Sequence, residues 1–152
     1  MTRPSATQVE KAKRLLTSEG APWSSSEECA AAAWRVYEKL NARLAPLLGL
    51  AGVQALFVRS AKLAQAEFPT LAEVASPEGL TRLGPCLQAL APTIAAEAAA
   101  TLFGTFLELM TTFIGERLTV LVLRSAWPEI EETAPRETRE ISETSETRET
   151  KK

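Results

Sequence analysis

Histidine and aspartate are both missing from this chain of 152 residues, so every one of its 19 acidic residues is glutamate. Without histidine, Ser-His-Asp and Cys-His catalytic arrangements are impossible, and the commonest proton shuttle and metal ligand at neutral pH are missing. A haem bound through histidine is excluded for the same reason. These absences favour a protein without a catalytic or metal site, and no cofactor is expected.

Cysteine is scarce, and the sequence shows neither the pattern of an export signal nor an excess of positive charge. The two cysteines, Cys29 and Cys86, match neither a CxxC pair nor a disulfide framework, so we expect two small, buried, reduced side chains. The N-terminus lacks the apolar run of a signal peptide, which predicts a cytoplasmic location. Residues 1–128 carry almost balanced charge and no basic patch, so no nucleic-acid partner is expected.

Alanine and leucine dominate the apolar residues, and no long segment alternates as a β-strand does. Both residues favour helices, so the sequence predicts an all-α fold: a single bundle of five to six helices around a long C-terminal helix. The domain covers residues 1–128. Residues 129–152, nearly all Glu, Thr, Arg, Ser and Lys, are predicted to be a disordered charged tail, because they offer too little apolar surface to fold.

Local signals divide the domain into segments. A first helix is expected over residues 5–18, and a second from Ser25, whose spacing to Glu28 matches a capping box, to about Ala45. Pro46 and Gly49 then interrupt the pattern, and a third helix is expected over residues 50–68. Residues 70–91 contain several prolines and glycines and predict one or two short helices.

The most distinctive segment is a predicted single helix from Thr93 to about Ala126. A polar stripe follows one third of its circumference and forms a candidate partner or ligand face, which comprises Glu97, Thr101, Gly104, Thr105, Glu108, Thr112 and Gly115. Glycine inside a helix costs about 1 kcal/mol relative to alanine. Such a cost is tolerated where another backbone or a ligand comes close. The alternative is that this stripe is simply the solvent-facing side of the helix.

The rest of the helix is apolar and suggests a candidate apolar pocket walled by Phe103, Phe106, Met110 and Phe113. Five charged residues between Glu97 and Arg124 argue against a membrane span, although not against binding at a membrane surface. Three functional hypotheses remain. The first is a non-catalytic protein-interaction or regulatory module that self-associates, with a protein partner; the second is a sensor of small apolar ligands; the third is a glutamate-dependent enzyme.

Overall fold

The computed structural model describes residues 6–20, 25–76 and 79–128, and these form five α-helices and one 3₁₀ helix without any strand. The all-α prediction is confirmed. The helices are α1 (Ala6–Ser18), α2 (Ser26–Ala64), α3 (Gly79–Gln88), α4 (Pro92–Ile114) and α5 (Glu116–Ala126), and the 3₁₀ helix spans Pro69–Glu73. The predicted tail, residues 129–152, lies outside the described residues.

Helix α2 begins where the sequence predicts. The Ser25 hydroxyl accepts a hydrogen bond from the Glu28 backbone N–H at 3.2 Å, which satisfies one of the free donors of the first turn. The helix then bends at Gly49, whose φ of 82° and ψ of 157° are non-helical. The expected interruption at Pro46 and Gly49 is therefore confirmed. The segment after it ends at Ala64 rather than at residue 68.

The single long helix predicted from Thr93 to Ala126 is wrong, because the chain breaks at Gly115. This residue has φ 90° and ψ 157°, a conformation that is open essentially to glycine alone. Its N–H donates to the Thr111 carbonyl at 2.9 Å, and its own carbonyl accepts from the Thr119 N–H at 3.0 Å. Gly115 thus ends α4 and begins α5.

The two kinked units repeat the same burial pattern. Gly49 and Gly115 lie 66 residues apart, and buried positions recur at that interval: Cys29 and Ala95, Leu40 and Phe106, Leu44 and Met110, Val53 and Thr119, Leu56 and Val122. The short helices complete the pattern, since α1 packs mainly on α4 and α3 packs mainly on α2. Within the described residues, the bundle therefore consists of two similar halves, α1–α2 and α3–α5, that pack against each other.

A buried carboxylate joins the ends of the domain. The Glu19 side chain is only 8 % exposed, and its Oε2 lies 2.6 Å from Lys39 Nζ. The same oxygen accepts a hydrogen bond of 2.8 Å from Trp127 Nε1, just beyond α5. Arg35 donates to the Glu19 backbone carbonyl through Nη2 at 2.7 Å. The contacts of Glu19 with Lys39 and Trp127, which we call the Glu19 clasp, tie the ends of α1 and α5 to the middle of α2.

Candidate binding surface

The polar stripe on α4 does not form one continuous surface. Its middle residues, Thr101, Gly104 and Thr105, are buried, whereas Glu97 and Glu108 are exposed on either side of them. Thr112 and Gly115 are also exposed, at the end of α4. The simple alternative, a solvent-facing stripe, therefore fails for the middle of this face, and the stripe as a whole is not open to a partner.

Helix α1 covers the middle of the stripe. A Cβ atom placed on Gly104 would lie 3.1 Å from the Val9 Cα and 3.2 Å from the Val9 backbone N. The backbone that comes close at this glycine thus belongs to α1 of the same chain. The Thr105 hydroxyl donates to the Thr101 carbonyl at 2.8 Å, so this buried threonine is satisfied within α4.

Glu97 and Glu108 lie too far apart to act on the same reacting group. Eleven residues of helix separate them, which corresponds to about 16 Å along the axis at ~1.5 Å per residue. Glu97 lines an open groove of about 400 Å³ together with Lys13 and Glu67, whereas Glu108 is not among the residues of that groove. In the described residues, no group of three or more cysteine or glutamate side chains is placed to hold a metal ion.

The four residues of the expected apolar pocket are separated by the fold. Phe103, Phe106 and Met110 are fully buried, and the Phe103 ring packs against Phe57 and Phe106 with ring centroids 6.3 and 6.5 Å apart. These three side chains fill the core instead of lining a cavity. Phe113, in contrast, is 66 % exposed. The pocket prediction is therefore corrected, because the kink at Gly115 leaves Phe113 at the edge of the bundle.

Phe113 lines a different concavity, which we call the Phe113 groove. Its volume is about 400 Å³, and its other lining residues all come from α2: Leu48, Gly52, Ala55, Leu56 and Arg59. The missing side chain at Gly52 and the single methyl group of Ala55 leave the space, and Leu48, Leu56 and Phe113 supply apolar walls. Leu48 lies directly before Gly49, and Phe113 lies two residues before Gly115. Because both residues line this groove, the two kinks lie at the same end of the bundle.

Large apolar side chains are exposed around the two kinks. Leu50 is 63 % exposed, Leu47 and Leu121 are each 51 % exposed, and Leu118 is 38 % exposed. Together with Phe113, these are the exposed large apolar residues within six positions of Gly49 or Gly115, and we call this set the kink surface: Leu47, Leu50, Phe113, Leu118 and Leu121. Single apolar residues are normal on protein surfaces, whereas a contiguous apolar patch marks an interaction site. The sequence reasoning missed this surface because it treated Gly115 as part of a continuous helix.

Positive charge accompanies the apolar residues on α2. Between Glu38 and Glu67 the chain contains four basic residues and no acidic one. Lys39 belongs to the Glu19 clasp, which leaves Arg43, Arg59 and Lys62 as exposed cations on this part of α2. On α5, Arg117 and Arg124 accompany Glu116. Between Glu38 and Glu67, α2 therefore exposes basic side chains and no acidic ones.

The two cysteines are both buried and unpaired, as the sequence predicts. Burial raises the pKa of the Cys29 thiol from 9.0 to about 11, and it also raises the pKa of Cys86. Thr70 opposes this shift at Cys86 through a hydrogen bond between the two side chains. Thiols are nucleophilic only when ionised, so neither cysteine is activated for chemistry at neutral pH.

Comparison with known proteins supplies no relative: no protein-family model, curated protein or solved structure matches this chain. The geometry of the described residues is therefore the basis for the functional proposal.

Proposed function

We propose that this chain is a non-catalytic protein-interaction module that acts through the kink surface, and that one of its partners is a second copy of the chain. The observation that carries the proposal is the group of five large apolar side chains left exposed around Gly49 and Gly115. When a partner covers such a group, the apolar side chains leave water and the free energy of the complex is lowered. Regulatory roles in the cytoplasm, where buried cysteines stay reduced, are compatible with such a module.

The size of the kink surface argues for weak association. Fully burying an exposed leucine or phenylalanine contributes about 1.5–3 kcal/mol, and the five side chains are between roughly one third and two thirds exposed. Their combined contribution is on the order of 5 kcal/mol for each copy, so a symmetric dimer that buries both sets gains on the order of 10 kcal/mol, which lies within the roughly 4–15 kcal/mol entropy cost of association. We therefore propose that self-association depends on protein concentration. Polar contacts have to contribute to the free energy of association as well.

Two helices of the described chain, α2 and α4, are long and apolar enough to cross a membrane by length and composition. The apolar window of α4 is 67 % buried, as in the core helix of a soluble bundle, and that of α2 is only 33 % buried. The low burial in α2 reflects the same exposed leucines that form the kink surface. We assign them to a protein partner because the adjoining Phe113 groove is concave, whereas a bilayer presents a flat surface.

Binding of a small apolar ligand is the second candidate function. The Phe113 groove has the volume of an ordinary small-molecule site, and most of its walls are apolar. A thermal-shift screen with apolar compounds tests this candidate. Stabilisation that is lost on Ala55→Glu would support it, and the absence of any stabilising compound would count against it.

A double variant and a single-substitution control test self-association. Leu118→Ser with Leu121→Ser removes exposed apolar area from α5, and we expect this change to shift the chain towards monomer in size-exclusion chromatography with light scattering. The control is Ile94→Ser, which alters an equally exposed residue near the start of α4, at the far end from the kink. An identical mass distribution for all three proteins would contradict a role of the α5 face.

A further inference from the structure

The Phe113 groove combines apolar walls with a basic rim. Arg59 lies in the wall of the groove, and Lys62 and Arg59 line the neighbouring shallow concavity on the same side of α2. No acidic side chain is among the lining residues of either concavity. A ligand that enters this groove therefore meets apolar surface in the middle and positive charge at the edge.

From this arrangement we propose that the Phe113 groove binds an acidic amphipathic helix of another protein. The inference rests on the proposed function, since it names the partner of part of the same surface. A helix that lies in a groove anchors itself with apolar side chains at i, i+3, i+4 and i+7. Gly52 and Ala55 are three residues apart on α2, so they make a floor without bulky side chains where such anchors fit. Carboxylates on the flanks of the helix then meet Arg59 and Lys62.

A second copy of the chain does not supply this helix from its described residues. Helices α1, α2, α3 and α5 each carry more basic than acidic residues. Helix α4 has two glutamates and no basic residue, but ten consecutive residues, from Ala98 to Leu107, are buried inside the bundle. The sequence of residues 129–152 is acidic, but Ile130, Ala134 and Ile141 are its only apolar anchors, and Pro135 stands between them, a residue that disfavours a continuous helix. The partner is therefore a different protein.

A labelled model peptide tests the inference on the full chain. The probe is an 18-residue peptide with leucine at i, i+3, i+4 and i+7 on one face, glutamate on the two flanks of that face and alanine elsewhere, and its binding is followed by fluorescence anisotropy. Two control peptides carry lysine in place of glutamate, or serine in place of leucine. We expect saturable binding of the acidic peptide and at least tenfold weaker binding of both controls.

Variants of the groove locate the binding site. Arg59→Glu reverses the charge of the rim, and Ala55→Glu places a carboxylate in the floor while keeping a good helix former; we expect each to weaken binding of the acidic peptide at least tenfold. The matched controls are Arg82→Glu on α3 and Ala31→Glu near the start of α2, both at exposed positions outside the groove. Circular dichroism and the unfolding midpoint check that all four variants fold.

Three results would overturn the inference: equal binding of the acidic and the lysine peptides, equal loss for groove and control variants, or binding of phosphatidylserine vesicles that shows the same dependence on Arg59 and Ala55. The last result would assign the groove to a membrane surface. Failure of self-association is a separate outcome, because it is measured on Leu118 and Leu121 by molecular mass without any peptide. If the chain is monomeric but binds the acidic peptide, the proposal for the Phe113 groove stands and the proposal of self-association is wrong.

Discussion

Trp127 Nε1 donates a hydrogen bond to Glu19 Oε2 across 2.8 Å, although 108 residues of chain separate the two. Trp127 is 1 % exposed and follows directly on α5, and Lys39 Nζ lies 5.5 Å from the centre of its ring. The contact therefore closes the bundle by joining the end of the first helix to the end of the last.

Trp127→Phe is expected to lower the free energy of unfolding by about 1.5–3 kcal/mol, since a hydrogen bond to a charged acceptor is lost at a buried site. Urea unfolding followed by circular dichroism measures the change. Trp34→Phe serves as the control, because Trp34 is 40 % exposed and makes a tilted ring contact with Tyr37 that phenylalanine can keep. Equal effects of the two substitutions would show that the Glu19 contact contributes little.

Gly115→Ala is expected to destabilise the domain by about 1–3 kcal/mol, because a side chain is strained at φ 90° whatever space surrounds it. Gly84→Ala is the matched control: it lies within α3, has no positive φ and has open space around its Cβ position. Its effect should stay below about 1 kcal/mol. If alanine at 115 were neutral or stabilising, a continuous α4–α5 helix would replace the kink.

Gly104→Val tests how closely α1 lies on α4. The added side chain would meet the Val9 backbone near 3.1 Å, so α1 has to move away, and we expect a loss of about 1–3 kcal/mol as in other overpacked sites. Hydrogen exchange should show faster exchange in α1 than in α3. Unchanged protection of α1 together with unchanged stability would mean that this face of α4 is open.

How far the sequence predicts the fold depends on local signals. The Ser25–Glu28 spacing predicts the start of α2, and Pro46, three residues before Gly49, predicts the kink there. The nearest prolines to Gly115 are Pro92 and Pro128, which are both more than ten residues away. No local signal therefore distinguishes Gly115 from a glycine that is tolerated inside a helix. The hydrophobic periodicity therefore predicts one continuous helix in place of α4 and α5. Because this prediction lacks the break at Gly115, it also lacks the exposure of Phe113.

The candidate face failed for another physical reason. A helical wheel shows which side of α4 is polar, but it does not show which element packs there. Thr105 satisfies its hydroxyl on the Thr101 carbonyl, so a stripe of threonine and glycine is as suitable for contact with α1 as for contact with water. Only the tertiary arrangement decides between them.

Alkaline conditions should destabilise the domain through its buried thiols. The folded state holds the Cys29 pKa at about 11 against 9.0 for an exposed thiol, so the unfolded chain loses its proton first as pH rises. The stabilising contribution is complete below about pH 9 and is lost as pH approaches 11. Burial also raises the pKa of Tyr37 above 10.0 and acts in the same direction.

Chemical unfolding at pH 7, 9 and 10 measures this effect, and Cys29→Ala isolates the part that belongs to Cys29. We expect the unfolding midpoint of the variant to fall less steeply with pH than that of the original chain. Parallel pH profiles for the two proteins would rule out a contribution from this thiol.

The central claim is that the chain works by binding through the kink surface, and its molecular mass as a function of concentration tests that claim most directly. Sedimentation equilibrium of the full chain from low micromolar to near-millimolar concentration should show a rise from monomer towards dimer or a larger assembly. The rise should be absent when Leu118 and Leu121 are both serine and retained in Ile94→Ser. A single monomeric mass over the whole range would contradict self-association through this surface.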